Sequence, residues 1–143
     1  MGIIQVSIRL ENVPGQLSLV SELLGQNDLN VIGLNVATAF GDGLLRFVAD
    51  DSRKAAQVLQ DQGYEVETEE ILACQTPHHA GGLGAILKPL KEADINVNYL
   101  YPCIGTASNG QTILLLGVSD LAAARQALRR NWIIMAELDD LPK

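Results

Sequence analysis

Aromatic side chains are scarce: one tryptophan, three tyrosines and two phenylalanines make up 4% of the 143 residues. Few rings are therefore available to stack on nucleic-acid bases. Positive charge is also short. Ten Lys and Arg face seventeen Asp and Glu, a formal net charge of −7, the wrong sign for gripping a phosphate backbone or an anionic membrane. Cys74 and Cys103 are the two cysteines. They are too few to staple a disulfide scaffold, and they read as reduced core thiols of a cytoplasmic protein. No apolar stretch approaches the roughly 18 residues a spanning helix needs. The opening MGIIQVSIRL has no basic region, long apolar run or small-residue cleavage site, so no export signal is expected. What the chain does have is hydrophobic material, 48% against 19% charged. That is enough to pack one ordinary domain or two very small ones.

Two small ones are indicated by an internal repeat. A displacement of 66 positions aligns VPGQLSLVSELLGQNDLNVIGL with HAGGLGAILKPLKEADINVNYL. Gly15 falls on Gly81, Leu17 on Leu83, Leu24 on Leu90 and Asp28 on Asp94, followed by Asn30, Val31 and Leu34 on Asn96, Val97 and Leu100. Further on, a displacement of 69 matches Asp51, Ala55, Gln57 and Leu59 with Asp120, Ala124, Gln126 and Leu128. The change of register places about three extra residues in the IGTASNG turn of the second copy. The chain reads as a tandem duplication, residues 1–70 and 71–143.

Each copy predicts the order βαββαβ. Ile3–Leu10 alternates, with Ile4, Val6, Ile8 and Leu10 on one side and Gln5, Ser7 and Arg9 on the other, as a half-buried strand does. Leu17, Val20 and Leu24 recur at helical spacing over Gln16–Gln26. A hairpin from Asn30 to Asp50 turns at Gly41-Asp42-Gly43. A second helix over Ser52–Gln62 stops at Gly63, and Tyr64–Glu70 supplies the fourth strand. The second copy repeats this with a strand from Ile71, a helix over Leu83–Ala93 and a hairpin over Val97–Val118 turning at Asn109-Gly110. A helix over Leu121–Arg130 and a strand over Trp132–Leu138 complete it. Pro89 lies inside the first of those helices, where it removes a backbone hydrogen bond and predicts a kink.

Chemical interest concentrates at the turn from strand one into helix one. It reads Glu11-Asn12-Val13-Pro14-Gly15 in the first copy and Pro77-His78-His79-Ala80-Gly81-Gly82 in the second. A helix N-terminus presents unpaired N–H groups and partial positive charge, which attract a carboxylate. Gly15, Gly81 and Gly82 lack the Cβ that would hold a ligand off the backbone. Asn12 has donor and acceptor atoms suited to a zwitterion; equally, it has the chemistry of an ordinary helix cap.

LENVPGQLSLVSELLGQNDLNVIGL resembles the opening of an ACT domain, and ILACQTPHHAGGLGAILKPLKEADINVNYLY is similar to the second copy of small stand-alone tandem ACT proteins. The resemblance spans nearly the whole chain. It implies an α+β protein of two ferredoxin-like βαββαβ repeats, antiparallel sheets with helices packed on one face. It also implies a regulatory role, with a small amino acid held at interfaces between ACT units. The implied ligand residues are Asn12, Pro14, Gly15 and Leu17 in the first copy and His78, His79, Gly81, Gly82 and Leu83 in the second. Strand-two residues Asn30, Val31, Asn96, Val97 and Asn98 would face them across an interface. His78 stands where the family commonly has Asp or Asn, and Ala80 replaces its usual Pro.

Other chemistries find less support. Neighbouring histidines rarely face one metal ion, and no Cys-x-x-Cys or His-Glu-x-x-His pattern accompanies them, so no metal is expected. Gly81-Gly82-Leu83-Gly84 echoes a dinucleotide loop without the acidic ribose partner or the parallel βαβ context, so no cofactor is expected either. Catalysis lacks a nucleophile with a held base. Tyr99 and Tyr101 alternate and would share one face, lining an interface or a pocket. The expectation is a non-catalytic amino-acid sensor, a homodimer through an exposed strand edge, with a catalytic enzyme as a further partner. Two rivals stay open: a ligand-free interaction or regulatory subunit, and a small enzyme using His78.

Overall fold

The computed structural model describes residues 2–39 and 41–142. Its first half runs β1 (Ile3–Leu10), α1 (Gln16–Gln26), β2 (Val31–Ala39), β3 (Asp42–Ala49), α2 (Ser52–Asp61) and β4 (Val66–Thr76). The second runs α3 (Gly82–Glu92), β5 (Val97–Pro102), β6 (Thr112–Val118), α4 (Leu121–Arg130) and β7 (Met135–Ala136), then a 3-10 turn at Leu138–Asp140. Phe40, the end of the expected second strand, lies outside the described residues.

The chain divides into two units, Ile4–Glu69 and Glu70–Pro142, with Gly2 and Ile3 grouped with the latter. Strand order is β2-β3-β1-β4 in the first and β5-β6-β4-β7 in the second. Both are ferredoxin-like repeats, with helices on one sheet face. The strand expected over Tyr64–Glu70 and the one expected from Ile71 are a single continuous strand, β4, which ends one repeat and opens the next.

Each repeat builds its own core from the apolar stripe of its helices and one face of its sheet. Val6, Ile8, Leu10, Val20, Leu24, Phe47, Ala55 and Leu59 pack together in the first. Leu72, Cys74, Ile86, Leu90, Leu116, Ala124 and Leu128 do so in the second. Burying each of the larger side chains contributes about 2 kcal/mol. Gln5 corrects the simple alternation of β1: expected on the outward face, it is fully buried. α3 continues unbroken through Pro89, which is itself buried.

The two hairpins carry the same device in mirror image. Just past a bulge at the start of each second strand, Gly33 pairs with Val48 and Tyr99 pairs with Gly117. The glycine has moved to the partner strand, and a methyl at Gly117 would overlap the Tyr99 ring. Tyr99 in turn stacks on Tyr101, with ring centroids 6.4 Å apart.

Among the described residues, the helices α1 to α4 end alike. A leucine carbonyl five residues before the exit (Leu24, Leu59, Leu90, Leu128) accepts from the residue that leaves the helix (Leu29, Tyr64, Ile95, Ile133), at 2.9 to 3.1 Å. The residue just before that one is left-handed: Asp28 (φ 63°), Gly63 (90°), Asp94 (58°) and Trp132 (63°). This is the Schellman ending, with its apolar residue beyond the turn. It also corrects the last predicted strand. Trp132 belongs to the stop of α4. Of the expected Trp132–Leu138, Met135–Ala136 pairs in register with β4, extended by the Ile134 carbonyl, which accepts from the Gln75 N–H at 2.8 Å.

Candidate functional site

The two strand-to-helix turns are built the same way. Gly15 (φ 89°) is the N-cap of α1 and Gly81 (φ 85°) the N-cap of α3, both left-handed, and neither helix start receives a side-chain cap. The trailing helices differ. Asp51 Oδ1 accepts from the Lys54 N–H at 3.0 Å at the start of α2, and Asp120 Oδ1 accepts from the Ala123 N–H at 3.0 Å at the start of α4. Asn12 is therefore not a helix cap. Without a side-chain cap, the starts of α1 and α3 keep the positive end of the helix dipole at the same place in both repeats, although in α3 the Gly82 N–H is already taken by the His79 carbonyl.

Asn12, Pro14, Gly15 and Leu17 are all exposed. Leu17, expected on the inward stripe, is 42% exposed, and its repeat partner Leu83 is 47% exposed. Val13 and Leu19 add further uncovered apolar surface beside the first turn. Their signal in the sequence was faint: Leu19 simply falls off the Val20–Leu24 stripe.

The second turn is more constrained. The Gly82 N–H donates to the His79 carbonyl at 2.9 Å, and Gly82 is buried, with the Pro77 carbonyl occupying the space a Cβ would need. Its missing side chain serves the turn's own packing. Gly15 and Gly81, by contrast, face open space. His78 and His79 are exposed. His79 Nδ1 lies 2.8 Å from the Ala80 carbonyl, an acceptor, so that nitrogen carries the proton of the bond.

The strand-two residues sit elsewhere in each repeat. Leu10, at the turn end of β1, is level with Gly43 and through it with Thr38, whereas Val31 pairs with Ala49 at the far end of the hairpin. Seven residues of strand put Asn30 and Val31 about 23 Å from the Asn12–Gly15 turn. Asn30 instead closes its own hairpin: its N–H donates to Asp50 Oδ1 and its carbonyl accepts from the Asp50 N–H, each at 3.0 Å. Asn96 makes the same reciprocal pair with Ser119, and its side chain donates to Asn98 Oδ1 at 2.7 Å. Val31 and Val97 are half-buried against their cores. A single repeat does not bring the two residue sets together.

Burial pushes the Cys74 thiol up to about 12 and the Cys103 thiol up to about 11, which removes thiolate chemistry near neutral pH. Among the described residues no three His, Cys, Asp or Glu side chains gather as metal ligands, and no helix is long and apolar enough to cross a membrane. What the turns offer chemically is donor-rich, uncapped helix starts fringed with apolar surface.

The family model for an ACT domain pair matches residues 1–141. The chain belongs to that family. A protein of known structure from Bacteroides thetaiotaomicron is 26% identical to this ACT domain pair, with a TM-score of 0.87 over 98% of this chain and 95% of its own. The ligand-free regulatory subunit of aspartate kinase from Thermus thermophilus shares the fold at 12% identity and TM-score 0.67, covering 92% of this chain and 94% of its own. The corresponding subunit from Thermus flavus, at 13% identity, gives 0.64 with the same coverage. No curated protein matches the sequence.

Proposed function

We propose that this ACT domain pair, with residues 1–70 and 71–143 as its two units, is a non-catalytic cytoplasmic sensor of a small amino acid. The observation that carries the reading is the repeated asymmetry of the helix starts. Asp51 and Asp120 cap the trailing helices, while α1 and α3 begin at exposed left-handed glycines with no side-chain cap. A ligand carboxylate would take those N–H groups, and Asn12 or His78 would stand beside its polar atoms. The strand-two residues Asn30, Val31, Asn96, Val97 and Asn98 enter the reading as contributions from an ACT unit of a second copy. The ligand then bridges copies and biases their association, which is how binding becomes regulation. A biosynthetic enzyme, in the manner of the aspartate kinase regulatory subunits that share the fold, is the partner class this supports.

A second reading, a ligand-free interaction subunit, draws on the apolar fringe of the turns at Val13, Leu17, Leu19 and Leu83, which would suit protein contact as well. A thermal-shift screen against the common amino acids separates the two. A ligand at about 100 times its dissociation constant adds roughly 2.7 kcal/mol. A flat screen across all of them overturns the sensor in favour of the interaction subunit.

A further inference from the structure

The second repeat ends its last helix on a residue that this ending disfavours. At the left-handed stop position the first repeat has Gly63, and the leading helices have Asp28 and Asp94, a residue type that tolerates the conformation. The second repeat has Trp132, the chain's one tryptophan, at φ 63°. The residue is 91% exposed, so the strained backbone is not offset by packing within the protein. Strain kept without an internal return points to an external role.

The surroundings give that role a shape. Trp132 and Ile134, the latter 59% exposed, border a cleft of about 360 Å³ with Gln75, Thr76, Pro77 and Asn109. The helix leading to it carries Arg125, Arg129 and Arg130 along a shallow depression of about 490 Å³. Three of the ten basic residues of an acidic chain are thus on one helix. Arg125 and Arg129 reach Glu70 and Glu137 only at 3.9 and 3.8 Å, and among the described residues Arg130 has no acid within ion-pair distance. Such long, exposed pairs exchange readily for a better partner.

We propose that Trp132, Ile134 and the α4 arginines form a docking surface for an acidic segment of a partner protein that also carries aliphatic side chains. The acids lie along Arg129 and Arg130, and an aliphatic side chain fills the cleft against the indole. The cleft borders the second glycine turn at Pro77, but Trp132, Ile134 and the α4 arginines belong to neither turn, so this goes beyond the amino-acid reading and is tested apart from it by peptide binding.

Fluorescence anisotropy with labelled synthetic peptides tests it on the full chain. An alternating Glu-Leu peptide binds about tenfold or more tightly than Lys-Leu or Glu-Ser peptides of equal length, and raised salt weakens it. W132G, which restores the residue of the first repeat, loses that binding while melting no lower than the parent. R129Q/R130Q loses it together with its salt dependence. The proposal is overturned if W132G or R129Q/R130Q binds as the parent does, if the peptides do not differ, or if none binds at low salt. It is also overturned if labelled oligothymidine binds more tightly than the Glu-Leu peptide, or if the protein alone self-associates through a contact that W132G abolishes.

Discussion

A non-glycine residue held near φ +60° carries a steric penalty between its Cβ and the following carbonyl, of about 1–2 kcal/mol. Trp132 (φ 63°) is almost wholly exposed, so trimming its side chain sacrifices little contact. W132G is accordingly expected to stabilise the protein by about 1 kcal/mol, read as a higher urea midpoint; an unchanged or lower midpoint would show that the indole is held by contacts in solution. The reverse holds at Gly15 and Gly81, where open space surrounds the Cβ position but φ is 89° and 85°. G15A and G81A are expected to cost about 1 kcal/mol each through backbone strain alone. None of this was written in the residue types: Trp132 reads as a strand residue until the αL stop of α4 is seen, because aromatic residues favour strands.

At the scale of elements, the helix starts divide the roles that Asn12 left open. An Asp cap that is lost costs about 1 kcal/mol, so D51A and D120A should each lower stability by that amount in urea titrations. N12A should leave the midpoint within experimental scatter, since Asn12 caps nothing; a loss comparable to D51A would make it structural after all. The hairpins allow a sharper test, because the repeat supplies the compensating change. G117V alone drives a side chain into the Tyr99 ring and should cost about 1–3 kcal/mol, while adding Y99G recreates the Gly33–Val48 pair of the first repeat and should recover much of the loss. Most elements were legible because their signals are local: α1 follows the helical spacing of Val20 and Leu24, though Leu17 of the same stripe is exposed, and β1 follows its alternation. The merger of two expected strands into β4 was not, since pairing partners, not propensity, decide where a strand stops. Nor was the burial of Gln5, whose polarity argued for the outward face.

Over the whole molecule, the duplication was plain in the sequence, and the position of both turns with it. Their geometry was not, because left-handed glycines and an absent cap are properties of the backbone path. The duplication also exposes where the repeats have diverged in acid–base behaviour. Cys74 pairs with Leu114 as Ile8 pairs with Leu45, so an ionisable thiol has replaced an isoleucine at an equivalent core position. Both thiols lie in the Glu70–Pro142 unit. Their ordinary value is 9.0, and burial raises them to about 12 and about 11. Below pH 9 both states of the chain keep the proton, and the thiols do not affect the balance. Above it the unfolded chain releases protons that the folded chain retains, so stability falls as pH rises through the interval between the two values. By pH 10 each thiol should have cost about 1.4 kcal/mol. C74V keeps an apolar core side chain and removes the titration, so urea midpoints measured from pH 8 to 10 should decline less steeply than in the parent. Parallel slopes for C74V and the parent would mean that Cys74 is reachable by hydroxide in the folded state.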